Sequence, residues 1–235
     1  MNFTYEDVAK TIDHSLLNPT LTVSDLEEGC ALAVRFNVAS VCILPYYVRR
    51  CAEILRGTSV VASTTIGFPH GGHTAAVKVA EAEGALTDGA RELDMVVNIS
   101  KVLSGDYVYV GAEVARLTAT AHGGGGKLKV IFENCYLNAD QKITLCRVCS
   151  EAGVDWVKTS TGYGTGGATI EDLELMLRNV GPKVQVKAAG GVRDLDTLLK
   201  IKAMGVTRCG ATRTATMLNE FRARLGQESI TLNFG

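Results

Sequence analysis

Three charged residues sit inside otherwise apolar runs of this chain. They are Lys158 in Trp156-Val157-Lys158-Thr159-Ser160, Lys187 in Gln185-Val186-Lys187-Ala188-Ala189, and Asp94 in Glu92-Leu93-Asp94-Met95-Val96-Val97. A charge in a buried strand is costly unless it is paired, reaches water or has a use. A snorkelling or ion-paired role accounts for any one of them; the coincidence of all three is what points to function. A lysine attacks a carbonyl only when neutral, and at its ordinary pKa near 10.4 fewer than about one in a thousand is neutral at pH 7. Burial, or a second ammonium close by, lowers that pKa. Lys158 and Lys187 therefore suit a Schiff-base mechanism, one as nucleophile and the other as pKa perturber and proton carrier. The iminium accepts the electrons of a breaking C–C bond, and a carboxylate such as Asp94 moves the proton of the departing hydroxyl. This is aldolase logic without a metal or cofactor. Which lysine is the nucleophile does not follow from the chemistry alone.

The elements that must position these groups are legible as an alternation. Short β-branched runs predict strands at residues 11–16, 39–44, 60–67, 92–98, 128–133, 156–159, 185–189 and 207–210. Amphipathic stretches predict helices at 23–36, 74–88, 106–121, 139–152, 170–179, 195–204 and 214–225. Ser24-Asp25, Asn138-Ala139-Asp140 and Asp194 read as helix starts. Near-continuous apolar strands are covered on both faces, and eight of them alternating with seven helices predict a single-domain (β/α)8 TIM barrel over residues 1–235. An open doubly wound sheet is the alternative, because closure is not visible in the sequence. No proline-rich linker or compositional break divides the chain.

In such a barrel, chemistry lies at the C-terminal ends of the strands, and phosphate often binds after strands seven and eight. The 25 glycines sort accordingly. Gly123-Gly124-Gly125-Gly126 joins a helix to a strand and reads as a flexible connector at the opposite end. Three other clusters follow strands: 160–167, Gly190-Gly191 and Gly210-Ala211-Thr212. Glycine lets backbone N–H groups approach an anion, and a helix starting just beyond adds the positive end of its dipole. With Arg193 and Arg213 alongside, these loops predict a phosphate site.

The rest of the composition narrows the class. With 24 basic and 25 acidic side chains, the net charge of −1 gives no reason to expect a nucleic acid or an acidic membrane as partner. No stretch approaches the ~20 apolar residues of a membrane span, and Met1-Asn2-Phe3-Thr4-Tyr5-Glu6-Asp7 lacks the pattern of a signal peptide. The seven cysteines lack framework spacing and fit a reduced, cytoplasmic chain. Cys146 and Cys149 have redox spacing but share one face of a predicted helix. His70 and His73 have ligand-like spacing, yet zinc needs a third protein ligand and only His14 and His122 remain, so His70 reads as a loop-ordering residue. Cys42, near the expected site, reads as a small buried residue rather than a reactive thiol.

The motifs together resemble the deoxyribose-phosphate aldolase family of class I aldolases. The matching stretches are Ile12-Asp13-His14-Ser15-Leu16-Leu17-Asn18-Pro19, Val41-Cys42-Ile43-Leu44-Pro45, Gly67-Phe68-Pro69-His70-Gly71, Glu92-Leu93-Asp94-Met95-Val96-Val97-Asn98, Val157-Lys158-Thr159-Ser160-Thr161-Gly162 and 186–193. The resemblance implies a (β/α)8 barrel that reversibly cleaves 2-deoxy-D-ribose 5-phosphate to acetaldehyde and D-glyceraldehyde 3-phosphate. It implies Lys158 as the Schiff-base lysine, Lys187 as the second lysine, Asp94 as proton donor and acceptor, and Asp13 as support for the relay. Gly162, Gly190, Gly191, Arg193, Gly210 and Thr212 would cradle the phosphate, and a homodimer is expected.

The chain departs from the family pattern in three places. Gly210-Ala211-Thr212-Arg213-Thr214 replaces the serine hydroxyls of many relatives, and Tyr163 stands where some carry a lysine. The end, residues 229–235, has no tyrosine, whereas a tail tyrosine aids proton transfer in some members. The alternatives are a related Schiff-base aldolase acting on another sugar phosphate and a phosphosugar-binding protein that has lost catalysis; the joint presence of Lys158, Lys187 and Asp94 argues against the latter.

Overall fold

The apolar runs form eight strands: β1 Ile12–Leu16, β2 Ser40–Ile43, β3 Val61–Ile66, β4 Glu92–Val96, β5 Lys127–Ile131, β6 Trp156–Lys158, β7 Gln185–Ala189 and β8 Arg208–Ala211. In the computed structural model, which describes residues 3–231, each strand pairs in parallel with the next. β8 pairs back onto β1, with Asp13 opposite Gly210, and the sheet closes as a (β/α)8 barrel. The N-terminal residues 1–2 and the last part of the tyrosine-free end, residues 232–235, lie outside the described residues. No helix among the described residues is long and apolar enough to cross a membrane.

The helices are α1 Tyr5–Ala9, α2 Val23–Arg35, α3 Val48–Ile54, α4 Ala75–Thr87, α5 Ile99–Leu103, α6 Tyr107–Gly123, α7 Ala139–Ala152, α8 Ile170–Asn179, α9 Leu195–Ala203 and α10 Thr214–Arg224. Asn138 and Asp194 cap α7 and α9 as expected, each accepting from a backbone N–H in the first turn. Helix α2 starts differently: Thr22 is the cap, and Asp25 completes a capping box with it, so Ser24 lies within the first turn. Three short helices, α1, α3 and α5, were not expected. The cap residue of α3, Tyr47, makes no side-chain capping bond, and the helix emerges from a 3-10 turn at Pro45–Tyr47, so nothing local marks its start. The expected strand at 92–98 ends early because Asn98 turns away to cap α5.

Strand residues alternate in direction. Leu93, Met95, Val130, Val157 and Val186 belong to the apolar core, whereas Asp94, Lys129, Lys158 and Lys187, one step along in each strand, meet one another inside the barrel. The expected flexible connector is an ordered turn instead. Gly124 and Gly126 press so closely on Leu86 that an added Cβ would lie 2.7 Å from its methyl carbons, and Gly126 N–H donates to the Ala121 carbonyl.

Outside the barrel a buried ion pair fixes the end of β4, the strand that carries Asp94. Lys78 Nζ on α4 lies 2.8 Å from Glu113 Oε1 on α6 and donates to the Val96 carbonyl, while Glu113 Oε2 accepts from Asn98 N–H. Replacing Lys78 with methionine keeps the packing but leaves a buried carboxylate without its cation, so Lys78→Met is expected to cost about 3–5 kcal/mol. In thermal unfolding, Tm should fall by roughly 10 °C; an unchanged Tm would show that the pair does not hold the fold.

Candidate active site

The expected residues converge. Lys158 ends β6 and is the direct cross-strand partner of Lys187 on β7. Asp94 Oδ2 on β4 lies 2.7 Å from both Lys158 Nζ and Lys187 Nζ. Lys187 Nζ also lies 2.6 Å from Asp13 Oδ2 on β1, an ion pair in which that oxygen accepts no well-aligned hydrogen bond. Asp13, Asp94, Lys158 and Lys187 are all buried.

Three partners were missed. Lys129 Nζ lies 2.8 Å from Asp94 Oδ1, 2.6 Å from Glu92 Oε2 and 3.6 Å from Asp13 Oδ2. Arg208 forks onto Glu92, with Nη2 2.8 Å from Oε1, and reaches Asp13 Oδ1 at 2.7 Å. Its guanidinium sits 4.8 Å from the centre of the Trp156 ring. These residues carry the same signal, a charge in or beside an apolar run: Glu92 and Arg208 begin β4 and β8, and Lys129 sits mid-strand on β5 as the direct cross-strand partner of Asp94.

The charges of this layer explain the state of each group. Asp13, Glu92 and Asp94 face four basic side chains, Lys129, Lys158, Lys187 and Arg208, so the layer holds one more basic group than acidic ones. Among the three lysines Lys158 is the one whose pKa is lowered: burial and the Lys187 ammonium act on it against the opposing pull of Asp94. Burial also works against the charges on Lys187 and Lys129, but their carboxylates outweigh it and raise both. Asp94 stays well below the usual carboxylate range because Lys129, Lys158 and Lys187 overcome its burial. Asp13 is held low in the same way by Lys187, Lys129 and Arg208. Burial and the Asp94 charge push the Cys42 thiol up, in keeping with a small buried residue.

Above this layer a cleft of about 610 Å³ opens at the C-terminal ends of the strands. Lys158 lines it, together with Gly162, Gly190, Gly191, Arg193, Gly210 and Thr212. Asp94, Lys187 and Asp13 do not line it; they stand behind Lys158 in the barrel. Gly162, Gly190 and Gly191 have φ of +88°, +76° and +93°, a region that favours glycine. A Cβ on Gly167 would strike the Gly190 carbonyl, so these two loops fit only as glycines. The N-termini of α9 and α10 follow the cleft loops directly. Such an arrangement can hold an anion beside an amine nucleophile.

The remaining candidates lie elsewhere. Arg213 is the exposed N-cap residue of α10 and does not line the cleft. His70 is exposed and makes no side-chain hydrogen bond to the described residues, so it does not order its loop. His14 is buried with Nδ1 2.8 Å from Thr214 Oγ1, and burial pushes its pKa down to about 4.

Known proteins share this architecture. The deoxyribose-phosphate aldolase of Rhodopirellula baltica is 62% identical over 98% of this chain and 96% of its own length. That of Thermococcus gammatolerans is 46% identical over 88% of this chain and 92% of its own. Among solved structures, the tetrameric deoxyribose phosphate aldolase of Aeropyrum pernix superposes with a TM-score of 0.86 at 28% identity, covering 94% of this chain and 93% of that one. Residues 7–222 match the model of the DeoC/LacD family aldolases, a span that runs from α1 through most of α10 and takes in the whole ionic layer and cleft. With its barrel closed around paired lysines, this chain belongs to the DeoC/LacD aldolase family.

Proposed function

We propose that the chain cleaves 2-deoxy-D-ribose 5-phosphate reversibly to acetaldehyde and D-glyceraldehyde 3-phosphate, with Lys158 as the Schiff-base lysine. The observation that carries this reading is a buried lysine that lines an anion-ready cleft beside a second lysine on the next strand and lies 2.7 Å from a carboxylate oxygen of Asp94. The neutral amine of Lys158 attacks the C1 carbonyl of the open-chain sugar, and loss of water gives an iminium. Cleavage of the C2–C3 bond sends its electron pair into the iminium, forming an enamine, while the C3 hydroxyl gives up its proton. Asp94, ionised in the resting site, is the acceptor; Lys187, bonded to the same oxygen, is the donor that returns a proton to the enamine carbon. Hydrolysis then releases acetaldehyde and regenerates Lys158. Asp13 holds Lys187 in its charged form.

The phosphate belongs against Gly162, Gly190, Gly191, Gly210 and Thr212, with Arg193 as the charged side chain of the cleft. Tyr163, in place of a lysine, leaves Arg193 and the helix N-termini to supply the positive potential. The substrate is tested by measuring acetaldehyde and glyceraldehyde 3-phosphate released from deoxyribose 5-phosphate. Faster cleavage of another sugar phosphate would move the chain to that substrate, and tight binding without turnover would favour a lapsed enzyme.

The pH dependence follows from the Lys158 environment. Trapping of the Schiff base by borohydride should rise with pH about a midpoint below the ordinary lysine value. Because the Lys187 ammonium lowers the Lys158 pKa, Lys187→Leu removes that repulsion and should move the midpoint upward. A midpoint unchanged or moved downward would remove Lys187 from this role.

The whole chain acts as one domain in this reading. All seven cysteines are free, which supports a reducing, cytoplasmic setting. A homodimer is our expectation for the assembly; light scattering after gel filtration decides it against a monomer or the tetramer found in the Aeropyrum pernix relative.

A further inference from the structure

We propose that Glu133 is a positioning residue that gives the site its preference for a phosphorylated substrate by holding the turn Thr161-Gly162-Tyr163. The inference rests on the phosphate reading above. Glu133 follows β5 and is buried, yet no cation lies within ion-pair distance of its carboxylate among the described residues. Its backbone is left-handed, with φ 56° and ψ 64°, a conformation non-glycine residues adopt at a cost. Such a carboxylate persists only when something fixed uses its acceptor oxygens.

What uses them is the loop after β6. Thr161 N–H donates to both Glu133 oxygens, at 3.2 and 3.3 Å, and the Thr161 hydroxyl donates to Oε2 in a short bond. With its proton committed to Glu133, the Thr161 hydroxyl is left as an acceptor for Tyr163 N–H at 2.9 Å. The far side of the turn is tied to the loops that follow β1 and β3, because the Tyr163 hydroxyl donates to the Leu17 carbonyl at 2.7 Å and its ring meets Phe68 edge-on at 5.4 Å. Gly162, in the left-handed region, lies between these two anchors, and its N–H has no acceptor among the described residues. The donor that would face a phosphate is thus aimed by a carboxylate that does not itself line the cleft. Thr161 absorbs the negative charge, which is how an acidic residue can stand behind an anion site.

The experiment compares kcat and KM for 2-deoxyribose 5-phosphate and for unphosphorylated 2-deoxyribose in the wild type, Glu133→Gln, Thr161→Val and the double variant. We expect each single change to raise KM for the phosphate ester about tenfold, the effect of one lost charge-assisted hydrogen bond. With 2-deoxyribose, kcat/KM should fall less than threefold. The double variant should be no worse than the poorer single one, because both changes break the same link, and Thr161→Ser should restore the wild-type KM. Equal losses on both substrates, additive losses, or no loss at all would overturn the proposal. A fall in KM for the ester in Glu133→Gln would also overturn it, showing that the carboxylate repels the phosphate. A wild type that does not discriminate between the two sugars would instead refute the phosphate site itself.

Discussion

Replacing Lys158 with leucine is expected to lower kcat by about 10⁴-fold or more while leaving the fold intact, because loss of a covalent nucleophile removes the reaction path rather than a contribution to it. The charge layer makes the second half of this expectation specific. Without Lys158, the carboxylates of Asp13, Glu92 and Asp94 face Lys129, Lys187 and Arg208, which is a balanced set. Lys158→Leu should therefore shift Tm by no more than a few degrees in either direction. Borohydride reduction with deoxyribose 5-phosphate should add mass to the Lys158 peptide of the wild type and to no peptide of the variant. An adduct on Lys187 in the wild type would sink the assignment. Lys158→Arg should be as inactive as the leucine variant, since a guanidinium remains protonated and cannot take the part of the amine.

The second large effect is expected at Asp94, and it should differ in kind. Asp94→Asn leaves Lys129, Lys158 and Lys187 around a neutral amide, with only Asp13 and Glu92 to balance the buried cations. Removing one partner of a buried ionic network costs about 3–5 kcal/mol, so Tm should fall by roughly 10 °C. Turnover should drop about 10³-fold with KM little changed, the signature of a proton-transfer group acting in the transition state. Schiff-base formation should nevertheless survive. Asp94 raises the Lys158 pKa, so its removal makes the amine more often neutral, and borohydride should still trap Lys158. Turnover and trapping lost together would make Asp94 a structural anchor for Lys158 rather than a participant in bond cleavage.

The barrel and the central residues were legible for a shared reason: a charge in an apolar strand is rare enough to be read from one sequence. Lys158, Lys187 and Asp94 were found that way, and so could Lys129, Glu92 and Arg208 have been. What the sequence does not carry is the pairing: Lys129 faces Asp94 only once β4 and β5 are in register, and Arg208 reaches Asp13 and Glu92 only once β8 closes onto β1. Glu133 was hidden differently. Its use depends on a left-handed backbone and on a loop 28 residues away, and neither is a pattern in neighbouring residues. The short helix α3 lacks both a cap and length, and Gly123-Gly124-Gly125-Gly126 looked mobile because Leu86, the side chain that fills its space, comes from another helix.

The alternation of the strands has a consequence for altering this protein. Leu93 and Met95 face the helices and belong to the continuous apolar seam, while Glu92 and Asp94, which alternate with them, face inward to the charged layer. Adhesion and chemistry are thus printed on opposite sides of one ribbon. Substitutions chosen for heat resistance have the helix-facing side as their ground, where hydrophobic swaps leave proton traffic untouched. The inward side admits less freedom, because Glu92, Asp94, Lys129, Lys158 and Lys187 share it and each sets the charge of its neighbours. A library that randomises alternate strand positions would sort itself by parity, with one register changing melting behaviour and the other changing turnover.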